Sequence, residues 1–166
     1  MRSWARLLSL LTLVPSCFEG SRGSTPASSA TSASEADSAF IQVQARGHVA
    51  MGVDQYTSSH AFQSLPDGGR ISLQRDSDDS AGVAQIRSHM RLIADAFARG
   101  NFELPGFVHD QTVPGTAVMA ARKSRIRYTV DTLPGGGQVR LWSSDPLAIQ
   151  AIHAFLAFQR HDHRVP

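Results

Sequence analysis

Leu65-Pro66-Asp67-Gly68-Gly69-Arg70-Ile71-Ser72-Leu73 returns as Leu133-Pro134-Gly135-Gly136-Gly137-Gln138-Val139-Arg140-Leu141, an offset of 68 residues (133 minus 65). Proline pre-sets φ for a turning residue and glycine tolerates the backbone conformations that side chains resist, so a Pro/Gly pair between alternating segments reads as a β-hairpin turn. Alternation precedes both turns, in His60 and Phe62 for the first and in Ile126, Tyr128 and Val130 for the second, and continues after them. Gly135-Gly136-Gly137 belongs to such a turn rather than to a phosphate-binding loop, because no helix start follows it directly.

Each hairpin leads into an acidic start and an apolar stripe at helical spacing. In the first, Asp78, Asp79 or Ser80 supplies a cap, and Val83, Ile86, Met90, Ile93 and Phe97 fall on one face before Gly100 stops the helix. In the second, Ser144 or Asp145 caps, Pro146 suits the first helical position, and Ile149, Ile152 and Leu156 make the stripe. The chain therefore reads as ββα, connector, ββα, with pseudo-repeats over about 60–97 and 126–158. Two such units predict an α+β fold: an antiparallel sheet of four to five strands with two main helices on one face. The alternating Val49, Met51 and Val53 supply the candidate fifth strand. Between the halves, Asn101 to Pro114 reads as a Pro/Gly-rich loop and Ala117 to Ser124 as a short helix.

The N-terminus carries an address. Met1 to Ser16 has a charged start (Arg2, Arg6), an apolar run from Leu7 to Val14 and a small Ser16 before Cys17, which is the layout of a secretory signal. Cys17 after Val14-Pro15-Ser16 resembles the bacterial lipobox, whose cysteine is lipidated; an ordinary cleaved signal is the alternative. The apolar run is too short for the ~30 Å of hydrocarbon that a transmembrane helix must span. From Phe18 to about Ser38 the chain is dominated by Ser, Ala, Gly and Thr and predicts a flexible tether. The expected division is thus 1–16 signal peptide, 17–40 lipidated cysteine and tether, and 41–166 a single domain on the periplasmic side of a bacterial envelope membrane.

Charge excludes one function class. The formal charge of +2 comes from Arg2 and Arg6; subtracting them from 16 basic residues leaves 14 against 14 acidic ones. A nucleic-acid footprint is not expected from so balanced a body. With one cysteine, an intrachain disulfide and a cysteine-based zinc cluster are excluded. No GxSxG elbow, GxxxxGK[ST] loop or GxGxxG after a strand is present, so an enzyme is not the leading expectation. The basic run Arg122, Lys123, Arg125 and Arg127 reads as a solvated helix end entering an edge strand.

Seven histidines stand out: His48, His60, His89, His109, His153, His161 and His163, all beyond the tether. Histidine is a common metal ligand and titrates near neutral pH. His89 and His153 sit at the margins of the two equivalent apolar stripes. His60 shares a strand face with Phe62, and His109-Asp110 lies in the connector, where a carboxylate serves as ligand or fixes a ring tautomer. Met119 offers a thioether, which suits copper, whereas imidazoles alone suit copper or zinc. Met90 fits the apolar core by its place in the stripe. His161-Asp162-His163, near the terminus, predicts a solvated tail. The expected metal set is His60, His89, His109, His153 and Met119, with Asp110 as an accessory.

His48 to His163, with MGVDQYTSSHAF, LPDGGRISL, IRSHMRLIADAFARGNFELPGFVHDQTVPG and AIHAFLAFQRHDH, resembles a family of small bacterial secreted proteins without an established activity. The resemblance implies a shared fold and brings no site residues. Two functions follow as expectations: an envelope lipoprotein that binds or handles a transition metal, or a non-catalytic scaffold binding a protein or small ligand. A hydrolase with a histidine-bound metal and Asp110 as base is a third, weaker reading.

Overall fold

The computed structural model describes residues 27–52 and 57–166; the signal segment 1–16, Cys17 and Val53 lie outside them. The elements run α1 (Ala27–Met51), β1 (Ser58–Leu65), β2 (Gly68–Arg75), α2 (Ser80–Ala98), α3 (Glu103–His109), α4 (Thr116–Ala121), a 3-10 turn (Lys123–Arg125), β3 (Ile126–Leu133), β4 (Gly136–Ser143) and α5 (Pro146–Asp162). The fold is α+β, with one antiparallel sheet in the order β1-β2-β4-β3.

The internal repeat is visible in the register. Ser58 pairs Arg75 and Leu65 pairs Gly68 in the first hairpin; adding 68 to each gives the second, where Ile126 pairs Ser143 and Leu133 pairs Gly136. The hairpins join through their second strands, with Ile71 opposite Val139. Those two residues are equivalents under the same offset, so a pseudo-twofold axis passes between them. Gly68 and Gly136 sit alike under it. A Cβ at Gly68 would lie 2.2 Å from the Leu141 carbonyl oxygen, and one at Gly136 2.1 Å from that of Leu73. Neighbouring backbone fills the space a side chain would need.

Both helices start as their sequences predict. Asp79 caps α2 by accepting from the Gly82 amide, and Asp145 caps α5 by accepting from Leu147 and Ala148, with Pro146 in the first turn. Their apolar faces cover the same side of the sheet, but crosswise: α2 packs chiefly on β4 and β3, whereas α5 packs on β1 and β2. Leu156 sits over Gly69, where an added Cβ would lie 2.1 Å from its Cδ1. Met90 sits over the equivalent Gly137, with Cγ 3.3 Å from such a Cβ. Val83, Ile86, Met90, Ile93 and Phe97 are all buried, as are Ile152 and Leu156. Each large apolar side chain so removed from water contributes roughly 1.5–3 kcal/mol before chain entropy is subtracted.

Polar side chains tie each helix to the hairpin beneath it. Arg87 of α2 donates to the Leu133 carbonyl at 2.7 Å, and His153 of α5 donates from Nε2 to the Leu65 carbonyl at 2.8 Å. Leu65 and Leu133 are repeat equivalents. α5 begins 66 residues after α2 (146 minus 80), so Arg87 and His153 are equivalents too.

Three expectations need correction. Residues 27–40, expected to belong to the flexible tether, form the first turns of α1, an element without an apolar stripe strong enough to mark it in the sequence. Among the described residues no fifth strand joins the sheet, and Val49 and Met51 belong to that helix. The stretch Asn101 to Pro114 contains a short helix, α3, because Pro105 falls in its first turn, where a missing amide hydrogen costs nothing. Among the described residues no helix is long and apolar enough to cross a membrane.

Candidate functional site

The inner face of β1, the C-terminal ends of α2 and α5, α3, and the last turn of α1 line a partly open cavity of about 70 Å³. Its walls are mostly apolar, with Phe62, Ile71, Ile93 and Phe155 prominent, and they carry the imidazoles of His60, His89, His109 and His163. Met51 and Met90 add thioethers.

Each imidazole is placed by a different element. Alternation along β1 turns His60 inward beside Phe62, and their rings stack at 5.8 Å. His163, just past α5, stacks on His60 with centroids 5.0 Å apart and 21° between planes. It also stacks on Phe62 at 5.4 Å and meets His109 edge-on at 5.1 Å. His89 projects from α2 at the edge of its apolar stripe. His109 closes α3, and Asp110 beyond it adopts the left-handed conformation (φ 54°) that ends the helix.

His109 differs from the other three in having both ring nitrogens engaged. Nδ1 donates to the Asp162 carboxylate, and Nε2 lies 3.0 Å from the end of the Gln159 amide, whose NH2, exchanged with the oxygen by a flip of the amide, donates to it. The carboxylate fixes the proton on Nδ1 and orients the ring, as outer partners of metal or catalytic histidines do. Neither nitrogen is left for a ligand, so His109 acts as part of the wall.

The remaining three are neutral over a wide pH range. Burial lowers the His163 pKa to about 3, with the neighbouring His60 and His109 rings adding to the effect. Burial likewise lowers His60 to about 4, with His89 contributing, and lowers His89 to about 4 on its own. The physical cause is the cost of holding a charge among apolar walls. His163 Nδ1 is buried without a hydrogen-bond partner, an expensive state for a polar atom unless something fills its valence.

The predicted set is thus only partly brought together. His60, His89 and His109 converge; His153 and Met119 do not. His153 faces the first hairpin turn because α5 crosses to the other unit, which separates it from His89 on α2. Met119 is fully buried in the core near α4. Asp110 is an exposed helix terminator, and the carboxylate that orients His109 is Asp162 instead. The tail is not frayed: His163 is 8% exposed, and Asp162 contacts His109. His48 and His161 are exposed and stand apart from the cavity.

Gln159, Asp162 and His163 were missed, although the repeat itself carries a signal for two of them. At the helical offset of 66, the stripe Ile86, Met90, Ile93, Phe97 is matched by Ile152, Leu156, Gln159, His163. The apolar stripe of α2 turns polar in the last two turns of its counterpart. On the sheet, His60 likewise replaces Tyr128 at an offset of 68.

Among the described residues no group of three or more His, Cys, Asp or Glu side chains is arranged to hold a metal ion. A tetrahedral zinc site of the usual donors is therefore not preformed there. What the cavity presents is a neutral imidazole pair, His60 and His163, with a third ring and two sulfur atoms in its walls. Comparison with protein-family models, with curated proteins and with solved structures finds no match.

Proposed function

We propose that the chain is an exported envelope protein, lipid-anchored to a bacterial membrane through Cys17, whose domain holds a monovalent soft metal ion, Cu(I), in the imidazole cavity. The single observation that carries the metal reading is the buried, unpartnered Nδ1 of His163, in a small apolar cavity whose walls also carry His60 and His89. Charge favours a monovalent ion. Asp162 is committed to His109, so a divalent cation here would find no free carboxylate to offset its desolvation. Donor chemistry favours copper, because imidazole and thioether groups both suit it and Met51 and Met90 stand in the same walls.

Titration with Cu(I) against a chromophoric chelator tests this, in the Cys17→Ser chain so that the lone thiol does not compete. One equivalent is expected to bind, with loss in His60→Ala and in His163→Ala. Binding unchanged in both variants would overturn the reading. A second reading, a small neutral guest bonded to His163 Nδ1, is favoured by that orphan nitrogen, and a copper-silent protein whose His163 ring resonances shift on adding imidazole would support it. For the anchor, Cys17→Ser is expected to move the protein from the membrane fraction to the soluble one, since acylation at Cys17 would be lost.

A further inference from the structure

The two edges of the sheet, β1 and β3, are finished differently. On β1, Arg160 of α5 donates to the Phe62 carbonyl, capping a main-chain group that points out of the sheet. The repeat equivalent of Phe62 is Val130 of β3, and that of Arg160 is Ala94 of α2. Alanine reaches no carbonyl, so β3 lacks this cap. Among the described residues, no other segment bonds the outward main chain of residues 126–132. The ladder shows which groups those are. Ser143 N–H donates to the Asp67 carbonyl, on the β2 side, so the Ile126–Ser143 pair is not hydrogen-bonded. Alternation along the unbroken register then makes Ile126, Tyr128, Val130 and Thr132 the residues whose N–H and C=O point away from β4.

β3 is also complementary to itself. Arg127 and Asp131 are exposed two residues either side of the exposed Thr129, and among the described residues neither belongs to an ion pair. Antiparallel pairing with a second β3, centred on Thr129, sets Arg127 opposite the partner's Asp131, and by symmetry Asp131 opposite the partner's Arg127. On the core side it sets the half-buried Tyr128 opposite the partner's Val130. Opposite charges, an aromatic with a β-branched residue, and threonine with threonine are all favourable cross-strand pairs. The same register joins Tyr128 to Val130 and Ile126 to Thr132, the residues with free main-chain groups, so the ladder closes. A slide of four residues in either direction would instead oppose like charges.

We propose that β3 is a dimerisation edge, at which two copies of this chain pair their β3 strands antiparallel across a twofold axis at Thr129 and merge their sheets into one. The imidazole cavities, beside β1, then lie at the two outer edges of the merged sheet. The dimer is thus independent of what those cavities hold.

Sedimentation velocity on the Cys17→Ser chain, up to about 100 μM, tests the pairing. A dimer is expected. Arg127→Asp and Asp131→Arg each oppose like charges at both symmetric positions, and each is expected to weaken the dimer at least about tenfold. Mixing these two variants is expected to restore it, because an acidic strand then meets a basic one; recovery on mixing also shows that both are folded. Thr129→Cys supplies the lone thiol of that chain at the axis, where a non-hydrogen-bonded pair brings Cα atoms to ~4.5 Å, within disulfide range. It is expected to cross-link on mild oxidation, whereas Arg127→Cys is not. A parent chain that stays monomeric at about 100 μM would overturn the proposal, as would dimers of equal strength in both charge variants.

Discussion

The two hairpins share register, turn and glycine pair, yet they end as different surroundings. Under the second, Tyr128 and Val130 take the places of His60 and Phe62, and the edge of the Phe97 ring packs on Tyr128 at 6.0 Å. Under the first, His60 stacks on His163 in the wall of a cavity. The equivalent of His163 is Phe97, and that of Gln159 is Ile93. One unit has kept an apolar stripe and closed its core; the other has exchanged apolar groups for imidazole and amide at the same positions. The second hairpin thus serves as an internal control that separates what the fold needs from what the site adds.

What the fold needs is shared, and breaking it should cost most. Gly68→Ala and Gly136→Ala each push a Cβ into a carbonyl oxygen of the neighbouring central strand. Each is expected to lower stability by about 3 kcal/mol or more, similarly in both units. Urea midpoints measure this; a large cost at one position and none at the other would show the twofold equivalence to be superficial.

What the site adds should be removable. His60→Tyr with His163→Phe copies the second unit onto the first. The double variant is expected to be more stable at neutral pH by about 1 kcal/mol, because the unsatisfied buried nitrogen of His163 gives way to a phenyl ring, while the new tyrosine carries a hydroxyl like that of Tyr128, which is itself buried without a partner. If the pair destabilises instead, the cavity is too small for the rings and the two halves are less alike than their register.

Acid should tell the halves apart in the range where imidazoles titrate. The folded-state pKa values of His60, His89 and His163 lie near 4, 4 and 3, below the ordinary value of 6.5. The unfolded chain therefore binds more protons than the folded one between those values. Stability is full above about pH 6.5 and is lost as pH falls toward the folded-state values. Thermal unfolding across pH 7 to 4 is expected to show this loss, and the double variant should lose less. On the copper reading proposed above, binding would follow the same displacement: unshifted imidazoles would release an ion near pH 6, whereas these rings stay neutral to about pH 4.

The smallest effect is expected at His153. Its Ala variant loses one bond to the Leu65 carbonyl, worth about 1 kcal/mol, and should leave copper binding intact. Loss of binding in this variant would place the site elsewhere.

Much of this architecture was legible in the chain. Turn chemistry, alternation and capping residues mark the hairpins and both long helices because those signals are local. The crossing of each helix onto the other hairpin is not local, which is why His153 and His89 are paired by sequence and separated in space. α1 was illegible for another reason: its sequence is rich in Ser and Ala, and partners that help to seat it lie far along the chain, Val108 62 residues from Arg46 and Arg164 127 residues from Asp37. The site lay between these cases. His60, His89 and His109 were identifiable as candidates, but His163 was hidden by its closeness to the terminus, where only the mismatch with Phe97 marked it.

The central claim is that the first unit departs from the second in order to hold Cu(I). The direct measurement is competition for Cu(I) under anaerobic conditions, comparing the Cys17→Ser chain with the same chain carrying His60→Tyr and His163→Phe. The account predicts one tightly bound ion in the former and none in the latter, with both folded by circular dichroism. Equal binding by the two, or no binding tighter than about 10 μM in the parent (~7 kcal/mol, within reach of casual surface histidines), would contradict it.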